Sequence, residues 1–396
     1  MEDKTLWINA RLLAGGPAKP DGFVLTRGER IAALGQGVPK GVDAAVRDAR
    51  GRYLAPGFID GHVHGGGGFD FMDGSEEAFR RIAAYHARHG VTALLATTLA
   101  GGREETRRVA EAAAAFAPRI RETEILGVHM EGPYFSLEQR GAQDPRYIRP
   151  PDRAEAEEFL AAGSIRRWSI APELPGALEL GDFLAARGVL VSAAHTDADF
   201  AGIRRAAAHG YRLMTHLYSG MTGARRLAGE RVGGAVEAGL CLDDLYVETI
   251  ADGYHLSGDL LGFIYKCTGR ERMVLTSDAM RGAGLPEGSV VRLGSRACGQ
   301  PVRIEGGVAR TLDGAAFAGS VASGNQLLRT LLTKTSIPLE DAVAMLTATP
   351  AALLGLAGRK GAIRQGLDAD LVEFDEEARV HAVMARGRFV PLEEPA

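Results

Sequence analysis

GFIDGHVH, residues 57–64, is a short apolar, β-leaning run that ends in two histidines one residue apart, and GGGGFD follows at 65–70. In a strand, residues i and i+2 face the same side, so His62 and His64 project together. A packed core has little use for neighbouring imidazoles, each with a polar nitrogen to satisfy. A metal ion does have a use for them. Taken alone the pair leaves two readings open, a pair of ligands or two hydrogen-bonded or solvated histidines, and the surrounding chain has to decide.

Seven more runs of this kind follow. They are VTALLATTL (91–99), ILGVHMEG (125–132), WSIAPEL (168–174), VLVSAAHT (189–196), YRLMTHLYS (211–219), LYVETIADGYH (245–255) and MVLTSDAM (273–280). Helical patterns lie between them. EEAFRRIAAYHARHG (76–90) has apolar residues at helical spacing and a closing glycine suited to a C-cap; REETRRVAEAAAAFA (103–117) and DADFAGIRRAAAHG (197–210) read the same way. Strands alternating with helices indicate a parallel sheet. Eight such units predict an α/β protein with a closed, TIM-like (β/α)8 barrel, with an open doubly wound sheet as the alternative.

The flanks differ. TLWINARLL (5–13), GFVLTRGERIAALG (22–35) and AAVRDARGRYL (44–54) precede the barrel, and ADLVEFD (369–375) and RVHAVMARGRFV (379–390) follow it. These are short strands with glycine turns, and the simplest arrangement pairs both ends into one small β domain. The expected division is 1–54 and 356–396 in that domain and 55–355 in the barrel. VRIEGGVAR (302–310) is a further hairpin, turning at Gly306-Gly307.

Of the 396 residues, 46% are hydrophobic and 24% charged, and the net charge of -4 comes without a basic block, which argues against nucleic acid as a partner. No apolar run approaches the ~20 residues of a membrane span. The opening MEDKTLWINARLL lacks a signal peptide's basic start and apolar stretch, and the three cysteines show no C-x-x-C spacing. A reducing cytoplasm is expected. The 52 glycines, roughly twice the usual share, suit many tight turns.

Catalytic groups in such barrels sit at the C-terminal ends of the strands. The first run ends in His62 and His64, the third in Glu131, and the fifth in His195; the sixth carries His216 and the eighth Asp278. Each has an ordinary reading of its own. His195 could be a satisfied core histidine, Glu131 an arginine's partner, Asp278 the cap of a following helix. Six such residues on the matching ends of five strands point instead to a site for zinc, iron or a similar first-row divalent ion. His86, His89 and His209 fall in helical segments and read as solvated; His381 is in the tail. His129 either shares Glu131's face or supports it from behind.

PGFIDGHVHGGGG, GVHMEGPYF, SAAHTDA, MTHLYSGM, IADGYHLS and TSDAM, in this order, resemble the amidohydrolase superfamily. Within it they look most like the branch of N-acetylglucosamine-6-phosphate deacetylases. The likeness spans nearly the whole chain, including the tail GAIRQGLDADLVEFD. It implies a distorted barrel with a small β-sandwich, a homodimer, a small amino-sugar substrate, and one or two divalent ions per chain, zinc first and iron or another first-row ion next. It implies metal binding by Glu131, His195 and His216, with His62 and His64 completing a second site. Asp278 matches the catalytic aspartate and His255 a substrate-contacting histidine. Phe317, Ala318 and Gly319 match a loop whose backbone touches the sugar phosphate. Ala142, Gln143, Ser219 and Gly220 stand at further substrate positions.

Three departures concern recognition of the substrate. Gln143 stands where the family commonly has histidine, Ser219-Gly220 where it has Asn-Ala, and Leu227 where an arginine contributed across the dimer is expected to bind phosphate, although Arg225, Arg226 and Arg231 are close by. The implied reaction is removal of an acetyl group from an N-acetyl amino sugar. Another hydrolase of the superfamily acting on a different amide, and a non-catalytic sugar-binding relative, are the competing readings. The glycines after His64 are expected to let substrate approach the metal, or to be a plain turn.

Overall fold

The eight runs form eight parallel strands that pair in chain order: Phe58–Val63, Val91–Thr97, Glu124–Glu131, Ile165–Ile170, Leu190–Ala193, Tyr211–Met214, Tyr246–Ile250 and Met273–Thr276. The structure, a computed structural model, describes residues 3–393. The first and eighth strands meet beyond their ends through a parallel bridge between Val63 and Ala279. There the Asp278 N–H donates to the carbonyl of His62 at 3.1 Å, and the His64 N–H to that of Ala279 at 2.9 Å. Asp60, buried inside the first strand, reinforces this seam by accepting from Thr276 Oγ1 at 2.7 Å and the Ser277 N–H at 3.2 Å. The sheet is therefore a nearly closed barrel and not an open one.

Helices cover the barrel because each has one apolar face. Glu76–Arg88 is capped by the Ser75 side chain and buries Phe79, Ile82 and Ala83. The same helix corrects the reading of its histidines. His86 is wholly buried, and its Nε2–H donates to the carbonyl of Gly65 at 2.9 Å. Burial takes its pKa down to about 4. His89 is half-buried, bonded through Nδ1 to the Tyr85 carbonyl at 2.8 Å, and burial lowers it likewise to about 4. His209 lies nearer the surface with Asp182 at 2.8 Å. For the first of the glycines after His64 the structure supplies a packing reason. Gly65–Gly66 pairs with Phe69–Asp70, and a Cβ on Gly65 would lie 2.2 Å from the Phe69 carbonyl oxygen and 2.8 Å from the Arg281 nitrogen. Gly65 carries no side chain because two backbones cross there.

Both chain ends build one further sheet of eight strands. Leu371–Phe374 pairs antiparallel with Tyr53–Pro56, Leu371 opposite Pro56 and Phe374 opposite Tyr53, which joins the end of the chain to its beginning. Register shifts in Lys4–Leu12 between Trp7 and Leu12 bend the sheet, and Trp7, Val24, Leu54, Leu371 and Met384 fill its own core. After the eighth barrel strand comes the expected hairpin, Gln300–Glu305 and Val308–Thr311, joined by an unanticipated third strand, Val290–Leu293. A second unanticipated hairpin, Arg225–Leu227 with Glu230–Val232, follows the sixth barrel strand. No helix among the described residues is long and apolar enough to cross a membrane.

Candidate active site

At the C-terminal mouth of the barrel the strand ends converge on Glu131. Its Oε1 lies 3.1 Å from His216 Nε2, 3.3 Å from His62 Nε2 and 3.5 Å from His195 Nε2; its Oε2 lies 3.4 Å from His64 Nε2. Asp278 Oδ1 stands 3.2 Å from His64 Nε2 and 3.4 Å from His62 Nε2. All six side chains are buried. Two donor sets result, His62–His64–Glu131 and Glu131–His195–His216, with the atoms of each within 4.8 Å of one another. The structure thus brings together all six residues singled out at the strand ends.

The hydrogen bonds at the far side of the rings decide what the near side offers. His195 Nδ1 faces the carbonyl of Gln139 at 2.8 Å. A carbonyl only accepts, so Nδ1 carries a proton and Nε2 is the nitrogen turned toward the Glu131 carboxylate. His62 Nδ1 likewise donates to Glu248 Oε1 at 2.9 Å. Ring nitrogens this close to a carboxylate oxygen call for a cation between them, a proton or a metal ion. Imidazole nitrogens with one carboxylate are the donors a first-row divalent ion takes, so the residues present fit such an ion. The electrostatics agree. Burial disfavours a charged His62, but the carboxylates of Asp278, Glu248 and Glu131 outweigh it and raise the pKa to about 10. Burial also acts against the carboxylate of Glu131, yet the surrounding imidazoles hold it well below the usual range; burial likewise opposes the Asp278 carboxylate, and His62 and His64 still lower its pKa. A metal ion at His62 would have to displace a proton there.

Three of these residues carry backbone conformations that side chains other than glycine rarely adopt: φ is +44° at His195, +30° at His216 and +48° at Asp278. Each is pinned on its carbonyl, by the N–H of Ser136 at 2.9 Å, Ser219 at 2.9 Å and Ser320 at 2.8 Å. Asp278 caps nothing, since the next helix in the described chain begins only at Gly324. Glu131 pairs with histidines and not with an arginine.

A cavity of about 230 Å³ opens above the cluster. Ala142, Gln143, Ser219, Gly220, His255, Phe317 and Gly319 all line it. Ala318 does not: it is buried beneath, packed with Met280 and Val302. The amide of Gln143 is spent on the protein. Its Nε2–H donates to Glu131 Oε2 at 2.6 Å and its Oε1 accepts from the Ala100 N–H at 2.9 Å, so this residue orients Glu131. Gly220 has φ +58°, and a Cβ there would lie 2.7 Å from His195 Nδ1, so the glycine makes room for that ring. His255 is held through Nδ1 by Asp252 at 2.7 Å, with Phe317 against its ring, which leaves Nε2 for the cavity. Leu227 is exposed on its hairpin, and Arg225, Arg226 and Arg231 beside it are not in the cavity lining.

His129 supports the site from behind. Its ring nitrogens meet Ser169 Oγ at 2.7 Å and Thr97 Oγ1 at 3.3 Å, and its ring stacks edgewise on His62. Sequence reasoning missed Glu248 and Arg167, which form an ion pair inside the barrel. A signal was present: a glutamate in the middle of the apolar run LYVETI has no business there without a partner.

The sequence matches the Amidohydrolase family over residues 53–390. It is 33% identical over 387 residues to the N-acetylgalactosamine-6-phosphate deacetylase of Escherichia coli O157:H7, covering 96% of this chain and 98% of that one. It is also 33% identical over 340 residues to the N-acetylglucosamine-6-phosphate deacetylase of Vibrio furnissii, covering 85% and 82%. Among solved structures, the N-acetyl-D-glucosamine-6-phosphate deacetylase of Mycobacterium smegmatis superposes with a TM-score of 0.89 at 31% identity, over 98% of this chain and all of that one.

Proposed function

Because the chain belongs to the amidohydrolase family, we propose that its barrel mouth hydrolyses the amide of N-acetylglucosamine 6-phosphate, giving glucosamine 6-phosphate and acetate. The observation that carries this reading is the single carboxylate of Glu131 between two pairs of histidines, with Asp278 beside them and a cavity above. Glu131, His195 and His216 hold one divalent ion, and His62 and His64 complete a second site with Glu131. Nitrogen and carboxylate donors make zinc the first candidate. Such an ion supplies an acidified water and polarises an acyl oxygen.

The chain's own residues do the rest. Asp278, ionised and next to the cluster, takes the proton of the attacking water at its carboxylate. As oxygen bonds to the acyl carbon and the carbon–nitrogen bond breaks, Asp278 returns that proton to the departing nitrogen. His255, fixed by Asp252, presents Nε2 to a sugar hydroxyl or to the acyl oxygen. Gln143 keeps Glu131 turned, and the backbone at Phe317 and Gly319 bounds the sugar end of the cavity. The exposed thiols of Cys241, Cys267 and Cys298 suit a reducing cytoplasm, and the family likeness supports a homodimer, which light scattering would measure.

A second reading concerns the epimer. The E. coli relative that matches over 96% of this chain is named for N-acetylgalactosamine 6-phosphate. Acetate release from both N-acetylhexosamines, each with and without the 6-phosphate, tests the two together. The proposal expects the highest kcat/KM on the phosphorylated gluco epimer and at least ~10-fold less without phosphate, the scale of one lost charged contact. Preference for the galacto epimer would install the second reading. No acetate from any of the four would remove both.

A further inference from the structure

Beneath the donor cluster lies a second layer of charge. Arg167 and Glu248 are each 1% exposed and form an ion pair in the barrel interior. The other N–H groups of Arg167 reach the carbonyl of Gly61 at 3.1 Å, Thr215 Oγ1 at 2.9 Å and Ser192 Oγ at 3.3 Å. One guanidinium on the fourth strand thus touches the first, fifth and seventh strands and the residue that follows the sixth. Glu248 Oε1 accepts three bonds: from Arg167 Nη2 at 3.1 Å, from His62 Nδ1–H at 2.9 Å and from the backbone N–H of His216 at 3.2 Å.

A buried ion pair is a poor source of net stability, because desolvation offsets the attraction. Its contacts suggest a different purpose. One oxygen of the carboxylate, Oε1, sets which nitrogen of His62 carries the proton. The same oxygen anchors the N–H of His216, the residue whose φ of +30° must be held against its preference. Neither Arg167 nor Glu248 lines the cavity. Both act through other residues.

Resting on the metal reading above, we propose that the Arg167–Glu248 pair is a positioning device for the ligand cluster. It holds the His62 ring with Nδ1 protonated and Nε2 aimed at Glu131, and it fixes the backbone turn at His216, whose Nε2 meets the same Glu131 oxygen. The His62–His64–Glu131 set, which owes a whole ring orientation to Glu248, depends on it most. Partners behind metal-binding histidines typically matter by 10–100-fold in affinity.

The test removes both charges together, so that no lone charge is left buried. Metal-free parent, Arg167→Met with Glu248→Leu, and Arg167→Met with Glu248→Gln are titrated with zinc, while thermal melts followed by circular dichroism report folding. The parent is expected to take two ions. The leucine double variant should melt cooperatively but bind the ion of the His62–His64–Glu131 set about 10–100-fold less tightly. The glutamine double variant, whose amide oxygen can still accept from His62 Nδ1, should recover most of that loss. Equal behaviour of the two double variants, both parent-like or both weakened alike, would overturn the proposal. An independent measurement needs no variant: ring nitrogen NMR of the zinc-loaded parent should show His62 protonated at Nδ1. Protonation at Nε2 would overturn the proposal even if the leucine variant fails to fold. A parent that binds no metal would overturn the underlying reading as well, whereas two ions bound alike in all three proteins would overturn this proposal alone.

Discussion

Asp278 Oδ1 lies as close to His64 and His62 as the Glu131 oxygens do, so a metal ligand and a proton acceptor are both open to it by distance. Glu131 and the histidines already supply two donor sets without it, which leaves Asp278 for the proton. Asp278→Asn keeps the shape and cannot accept a proton from water. Steady-state turnover should fall by at least ~100-fold, with metal content and melting temperature near the parent's. Loss of metal in this variant would make Asp278 chiefly a ligand. At this scale the site was readable wherever chemistry shows in residue type: imidazoles and carboxylates at the ends of apolar runs. Positive φ at His195, His216 and Asp278 was not, since ordinary residue types disguise it. Nor was the use of Gln143, whose partner Glu131 is near in sequence but reachable only through the fold of the intervening loop.

Helical spacing located Glu76–Arg88 correctly but could not say what stands opposite each of its faces. His86 meets the carbonyl of Gly65 because the glycine loop after the first strand folds back onto the helix, a tertiary contact absent from any local pattern. The packing of the glycines was hidden for a related reason. The smallness of Gly65 answers to the crossing chain at Arg281, which lies in another part of the sequence, and that of Gly66 to the Tyr85 ring on the helix. The buried histidine has a measurable consequence. Its pKa is about 4 in the folded chain against an ordinary 6.5, so between these values the unfolded state binds more protons. Its contribution is therefore complete above pH 6.5 and is lost as pH falls toward 4, at up to about 1.4 kcal/mol per pH unit. Carboxylates titrate in the same window, so the comparison must be with a variant. His86→Gln retains a donor for Gly65 and removes the titration. Its melting temperature should fall less steeply than the parent's between pH 6.5 and 4, and parallel profiles would contradict this assignment.

Across the whole molecule, the pairing of the two chain ends was legible because short β-leaning runs at both termini lacked partners of their own. How that sheet is fastened to the barrel was not. Buried Lys360 reaches Glu124 of the third barrel strand at 2.8 Å and, just before the sheet strand Leu371–Phe374, Asp368 at 3.0 Å and Asp370. Lys360→Met leaves these carboxylates short of a cation, with Arg359 still serving Glu124 and Asp368. Denaturant unfolding should show a loss of about 3 kcal/mol; a loss below about 1 kcal/mol would mean that the joint is held by packing alone. Sheet and barrel serve one end, a mouth where Glu131 gathers histidines from three other strands. The most direct test of that account is acetate release from N-acetylglucosamine 6-phosphate by protein stripped with chelator and then reloaded with zinc. The account predicts no turnover above background in the stripped protein and recovery as metal is restored. Full turnover by the metal-free protein, or none by the fully loaded one on either epimer, would contradict it.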